Sequence, residues 1–367
     1  MTPIEFTPSL LVDRRATRPP PVPRRSTAGI LFGDLTSALL TIVTGGLILL
    51  AAPAIAKWAI IDAVWTTGNP SACQQAGACW AFIADKLRFI LFGVYPPEQQ
   101  WRPLVVIGLV LLGVLMTLAP ALWGRRLIIG WTVLVAVMLA LMWGGFLGLS
   151  FVPTSRWGGL PVTLLLAVVS LGLGFPFAVL LALGRRSAWP VTRFLSVFTI
   201  EIVRGLPLVG LLFVASILLP LLLPADWTID KLGRTVAALT VFAAAYLAEV
   251  VRGGLQGVPV GQQEAARALG IPYWKTVCYI VLPQAIQKVI PPLTNTAIIM
   301  VKNTSLVMIV GVFDMLGAGR SAATDPAWPA PYPEIYLFVA SIYFVICYGI
   351  SRYSLWLERR VREKDYQ

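Results

Sequence analysis

Apolar runs of about twenty residues recur along this chain, each long enough to cross a hydrocarbon layer of about 30 Å as an α-helix. That recurrence is the tightest constraint in the sequence. A backbone in lipid must satisfy its own N–H and C=O groups, and a helix does so within one segment. Eight such segments are predicted, at roughly 36–60, 103–123, 127–150, 160–183, 202–223, 233–252, 284–311 and 332–356. The expected fold class is all-α, a polytopic membrane protein of about eight transmembrane helices. Composition agrees: 57% of the 367 residues are hydrophobic and 13% are charged, against about 25% charged in soluble domains.

The formal net charge is +12. In a membrane chain such an excess of Lys and Arg fixes topology. No aromatic-plus-basic module of the RNA-binding type accompanies it, so nucleic acid is not an expected partner. Arg14, Arg15, Arg18, Arg24 and Arg25 fall on one side of the predicted spans. So do Arg125 and Arg126, Arg185, Arg186 and Arg193, Arg252 and Lys275, and the terminal "ERRVREK". The other side holds a long loop at roughly 61–102, with Lys86, Arg88 and Arg102, and short loops near 151–159, 224–232 and 312–331. Both termini are therefore expected in the cytoplasm. Residues 1–33 lack the apolar core of a cleavable signal and read as a Pro/Arg-rich cytoplasmic tail. Within it "RPPPVPRR" suits a polyproline ligand or a topology anchor. Residues 359–367 read as a second cytoplasmic tail.

Histidine is absent, which removes the commonest metal ligand and proton shuttle. No metal site is predicted from the four cysteines either. Cys73 and Cys79 bracket "CQQAGAC" as two independent thiols or as a disulfide, the latter if the loop faces an oxidising compartment. Cys278 and Cys347 read as small hydrophobes. Trp65, Trp80 and Trp101 are placed to anchor the membrane interface.

Between two predicted spans lies "EAARALGIPYWKTVCYIVLP", Glu264 to Pro283. "GQQEAARALG" is rich in helix formers, and Gly270 is suited to stop the helix. Pro272 suits the first turn of the next one, and Pro283 is expected to mark re-entry into the membrane. A short helix carrying Glu264 and Arg267 cannot hide in lipid and is available to a partner protein.

These residues resemble a known pattern. Glu264, Ala265 and Ala266 are followed after three residues by Gly270, then after nine by Ile280, with Leu282 and Pro283. That is similar to the EAA loop of importer permeases of the ATP-binding cassette (ABC) superfamily. "EIVRGLPLVGLLF", "VVRGGLQGVPVGQQEAARALG" and "PPLTNTAIIMVKNTSLVMIVGV" resemble the permeases for polar amino acids. The likeness covers five spans, roughly 158–356, and implies a type I ABC importer permease core over 158–358. Residues 34–157 are then an accessory membrane domain of about three spans. With the Pro/Arg tail they resemble the larger, M-type permease subunit of the bacterial general L-amino acid transporter.

Charges at membrane depth face a cavity or a partner. Glu201 and Arg204 are three apart on one helical face, as are Glu249 and Arg252. Both pairs suit wet helix ends or a gate lining the inward mouth. Pro207 frees a carbonyl and Gly205 loosens the same turn, as in helices broken beside a substrate or merely kinked for packing. In "VKNTSL", Thr304 and Ser305 can bond the preceding turn. Lys302 needs a carboxylate, carbonyl or water, and with Asn303, Thr304 and Ser305 is a candidate for the translocation path.

No G-x-x-x-x-G-K-[ST] pattern occurs, so this chain is not expected to hydrolyse ATP or to hold a cofactor. The resemblance implies a separate ATPase carrying ATP and Mg, docked on the loop at 264–283. It also implies a second permease, expected to form a heterodimer, and a periplasmic amino-acid-binding protein. The reading is therefore a permease subunit translocating L-amino acids across the bacterial inner membrane. An ion-driven secondary carrier or a non-transporting scaffold is the alternative.

Overall fold

The computed structural model describes residues 26–66, 69–74, 76–224, 229–329 and 331–365. The five tail arginines and "RPPPVPRR" lie outside the described residues. Among the described residues the secondary structure is helical, with two isolated bridges, Val64 to Cys79 and Gly159 to Asp314, and no strand. The chain divides into two compact units, 1–63 and 64–367.

The first unit contributes α1 (Leu35–Ala56), which continues through a π turn at Lys57–Ile61. Asp34 caps it, accepting a hydrogen bond from the Ser37 N–H at 2.7 Å. Hydrogen bonds from Thr36 and Ser37 hold this carboxyl below the usual range. None of the α1 side chains is buried. A helix apolar on every face has lipid as its natural surroundings.

The second unit holds α2 (Trp80–Phe92), α3 (Trp101–Leu118), α4 (Arg125–Trp143), α5 (Gly159–Arg185), α6 (Pro190–Gly205) and α7 (Leu208–Leu222). There follow α8 (Lys231–Gln256), α9 (Val260–Ala268), α10 (residues 273–288), α11 (Ile290–Val310), α12 (Met315–Ala322) and α13 (Tyr332–Asp365). Seven helices among the described residues are long and apolar enough to cross a membrane, and an eighth crossing results if α6 and α7 form one span.

That pair corrects the bounds of the span predicted at 202–223, and at Gly205–Pro207 the helix is broken rather than merely kinked. α6 begins at Pro190, and the two helices meet at 106°. The cause is local: Pro207 disfavours helical backbone at the residue before it, and Leu206 is extended at φ −91°, ψ 139°. The supposed loops at 61–102 and 312–331 are corrected too, since they contain α2 and α12. At 13 and 8 residues both are too short to span. They fold because Phe82 and Ile90 of α2 are buried with Met315, Ala322, Trp328 and Ile335. Lys86 pairs with Asp325 at 2.8 Å across the same contact. Cys73 and Cys79 are joined by a disulfide, with their Cα atoms 5.6 Å apart. The Cys79 N–H donates to the Glu334 carboxylate at 2.8 Å.

The largest core centres on α5 and α8. Gly174 lies so close to α8 that an added Cβ would sit 3.0 Å from the Ala243 Cβ. Small residues permit such approach between helices in lipid. Val106 and Met138, before residue 157, share this core with Leu166, Phe242 and Met300 after it.

At the other end of α5 three segments cross. Gly159 has φ +70°, and a Cβ there would lie 2.1 Å from the Leu91 carbonyl oxygen. Its N–H donates to the Phe313 carbonyl at 3.0 Å. Beside it, buried Asp314 caps α12, accepting from the Leu316 and Gly317 N–H groups at 3.2 and 2.8 Å. Burial pushes this carboxyl up to about 6.

Two outcomes follow. Gly159→Ala combines a forbidden backbone angle with a backbone clash, so it should cost on the order of 3 kcal/mol or abolish folding, read as loss of the monodisperse peak in detergent. Asp314 is neutral in the fold at pH values where the unfolded chain is already ionised. Its contribution is thus fully present below about pH 3.8 and lost as pH rises through about 6. Asp314→Asn keeps a cap without the charge. Wild type should therefore lose on the order of 2–3 kcal/mol relative to this variant between pH 4 and 7, measured by thermal unfolding across that range.

Candidate functional site

The segment after α8 forms the first part of the site. Gly257, Val258 and Pro259 turn the chain, and α9 carries Glu264, Ala265 and Ala266. Gly270 has φ +69°. Its N–H donates to the Arg267 carbonyl at 2.9 Å, and the Ile271 N–H donates to Ala266 at 3.0 Å. This hydrogen-bond pair is the Schellman ending, which needs a left-handed residue and so favours glycine. Pro272 then caps α10.

No helix break falls at Pro283, the expected point of re-entry into the membrane. α10 runs through it to Lys288 and breaks at Val289, with a π turn at Thr276–Val281 just before the proline. A wider turn is one way to accommodate a residue lacking an N–H. Ile280 and Leu282 belong to this helix and are half-buried. Ala266 is buried on the inner side of α9, while Glu264 and Ala265 are exposed. Leu269, Tyr273 and Trp274 are exposed next to them, at 78%, 58% and 66%. These three were not singled out from sequence, although "GIPYW" follows directly on the helix stop.

α10 is locked under α8. A Cβ on Gly254 would lie 2.5 Å from the Ala285 carbonyl oxygen. Val251, Leu255, Val258, Val281 and Ala285 form a shared apolar cluster, and Lys288 donates to the Gly257 carbonyl.

The second part is a charge cluster. The structure brings together Glu201, Arg204, Glu249 and Arg252, and adds Arg185 from the end of α5. Arg185 reaches Glu201 at 2.9 Å and Glu249 at 3.3 Å. Arg252 binds Glu249 at 2.5 Å, and Arg204 lies 3.9 Å from it. The Arg204 guanidinium also sits over the Tyr246 ring, 5.7 Å from its centre. In sequence Arg185 reads only as a topology charge, because its partners are 16 and 64 residues away. Pro207 sits at the nearby bend between α6 and α7.

The polar residues of α11 are elsewhere. Thr304 is buried, donates to the Val301 carbonyl at 2.7 Å and lies 3.3 Å from the Tyr343 hydroxyl. Ser305 donates to the Lys302 carbonyl at 2.8 Å. The α-helix ends at Asn303, and the 3₁₀ stretch Thr304–Val310 follows. Lys302 and Ser305 line a groove of about 730 Å³ with Asn295, Tyr336, Tyr343 and Tyr348. This groove shares no lining residue with the charge cluster, so the two sets are separate features.

Long apolar helices, a broken pair and an exposed short helix between spans define a multi-pass membrane protein. The chain belongs to the family of binding-protein-dependent transport system inner membrane components, whose model matches residues 174–363. It is 44% identical over 336 residues to the inner membrane amino-acid ABC transporter permease protein YhdY of Escherichia coli K12, covering 90% of each chain. It is 35% identical to the glutamate/glutamine/aspartate/asparagine transport system permease protein BztC of Rhodobacter capsulatus, covering 91% of this chain and 92% of that one. Among solved structures, one described as an amino acid ABC transporter with histidines aligns with TM-score 0.49 and 31% identity, over 55% of this chain and 92% of that one.

Glu249 is the acceptor that three arginines share. Glu249→Gln leaves Arg185 with Glu201 and takes from Arg204 and Arg252 the carboxylate they share, and should cost about 1–3 kcal/mol. Arg204→Gln, at the longest distance, should cost less. Thermal unfolding of the two variants in detergent gives the order.

Proposed function

We propose that this chain is the membrane-spanning subunit of an ATP-driven importer of L-amino acids, a transport subunit rather than an enzyme. Family membership and the relatives' roles support this reading. The observation that carries it is α9: a short charged helix between spans, ended by a left-handed glycine, with Glu264, Ala265, Leu269 and Trp274 exposed around the stop. A separate cytoplasmic ATPase, holding ATP and Mg, docks there. A second permease completes the pore as a heterodimer, and a periplasmic amino-acid-binding protein delivers substrate. The chain lies in the inner membrane with both termini in the cytoplasm. Residues 158–358 form the transport core, and 34–157 an accessory membrane domain.

The mechanism follows from two-state coupling. ATP binding draws the ATPases together and shifts α9, and the helices tilt between inward-open and outward-open states. Glu201, Arg204, Glu249 and Arg252 form the gate at the end of α8, beside the bend at Pro207. Lys302, Asn303, Thr304 and Ser305 belong to the translocation path, where Lys302 suits a carboxylate of the substrate.

Gly270→Asp tests the docking role. A side chain at φ +69° reshapes the helix stop, and the added charge sits on the docking surface. Affinity purification of tagged wild-type chain from native membranes should recover an ATPase and a second permease. The variant should keep the permease and lose the ATPase. An ATPase absent from both preparations after mild crosslinking would sink the importer reading and favour ion-driven uptake. Labelled amino acids added to the reconstituted assembly then define the substrates.

A further inference from the structure

Four arginines line one cleft at the end of the helices where the coupling segment begins. Arg185, Arg186, Arg193 and Arg252 surround a volume of about 420 Å³ with Val197 and Gln256. No carboxylate lines it. Glu201 and Glu249 stand behind and offset Arg185 and Arg252, while Arg186 is held by donating to the Leu255 carbonyl at 3.0 Å. Arg193 is exposed at the mouth. Two positive charges thus remain for a ligand.

The cleft exists because α5 and α6 touch here. A Cβ on Gly184 would lie 2.2 Å from the Ser196 hydroxyl, and this approach brings Arg185 and Arg193 to one opening. A second, apolar cleft of about 560 Å³ adjoins it, lined by Ala188, Pro190, Arg193, Phe194 and Val197. The two share Arg193 and Val197. Phe194 and Phe198 stack at 5.7 Å along the same helix, and Trp189 is 75% exposed at its start.

We infer that this pair of clefts binds an anionic phospholipid, its phosphate among the arginines and an acyl chain along Phe194 and Phe198. The charge alone would suit any phosphate. The apolar half has no use for a free phosphate, and on a membrane-embedded chain it suits an acyl chain. Basic pockets between helices at a membrane surface take such headgroups. A lipid seated there joins the α5–α6 turn to Arg252 and Gln256, a few residues before α9. This inference rests on the membrane location of the chain and stands or falls separately from the substrate reading.

The test is native mass spectrometry of the full-length chain in detergent, titrated with phosphatidylglycerol, phosphatidylcholine or inorganic phosphate. Wild type should bind phosphatidylglycerol about 25-fold more tightly than phosphatidylcholine, as two unpaired arginines predict at about fivefold each. Arg193→Gln should weaken phosphatidylglycerol about fivefold and leave phosphatidylcholine unchanged; Arg193→Lys should behave as wild type, and Phe194→Ser should weaken both lipids. Equal binding of the two lipids by wild type would overturn the proposal without any variant. So would unchanged affinity in Arg193→Gln. Displacement of the lipid by millimolar phosphate, with Phe194→Ser silent, would assign the arginines to a free phosphate instead.

Discussion

Close contact between α5 and α8 is the interaction on which the rest of this molecule depends. Lipid tails are as apolar as leucine, so helices in a bilayer gain little by hiding apolar side chains from their surroundings. They gain by approaching closely. Gly174 meets Ala243 and Ala244, and Ala167, Ser170, Ala178 and Ala182 continue the small-residue face of α5. This alignment delivers Arg185 to Glu249 at one end of the pair. At the other it presses Gly159 against the segments that carry Leu91 and Phe313.

Glu249 shows how charge is made tolerable at such a position. One carboxylate has three guanidiniums around it, two within hydrogen-bonding distance. The charges face one another at helix ends, where desolvation is least severe. Lys302 is handled differently: it stands in a groove with tyrosine and asparagine around it. The first arrangement joins α5, α6 and α8 through charge, and the second leaves Lys302 exposed on a groove wall.

How much of this was legible in the sequence depends on the distance between cause and effect along the chain. Apolar length signalled the spans, and the residues around Glu264 and Gly270 signalled α9, because helix stops are local events. α2 and α12 read as loops because their order comes from each other: Phe82 and Ile90 share a core with Met315 and Ala322, and Phe82 meets Trp328, just past α12, edge-on at 5.4 Å. Pro207 signals a break locally, through the extended Leu206 before it, but the size of the turn, 106°, is not written in that dipeptide. Arg185 looked like a topology charge until the fold gave it two acids. At Pro283 the rule that proline opens a segment gave way to a wider helical turn that let α10 continue.

The contact between Gly254 and Ala285 has a mechanical consequence. Backbone approaches backbone there, with only the Val289 side chain beside it, so little space separates α8 from α10. Ala266 is buried where α9 packs on the π turn of α10, and α10 bears directly on α8. A displacement of α9 would therefore pass through α10 to α8. It arrives at α8 about 7 Å along the axis from Glu249, as torque on a helix whose charged end is already clamped to two neighbours.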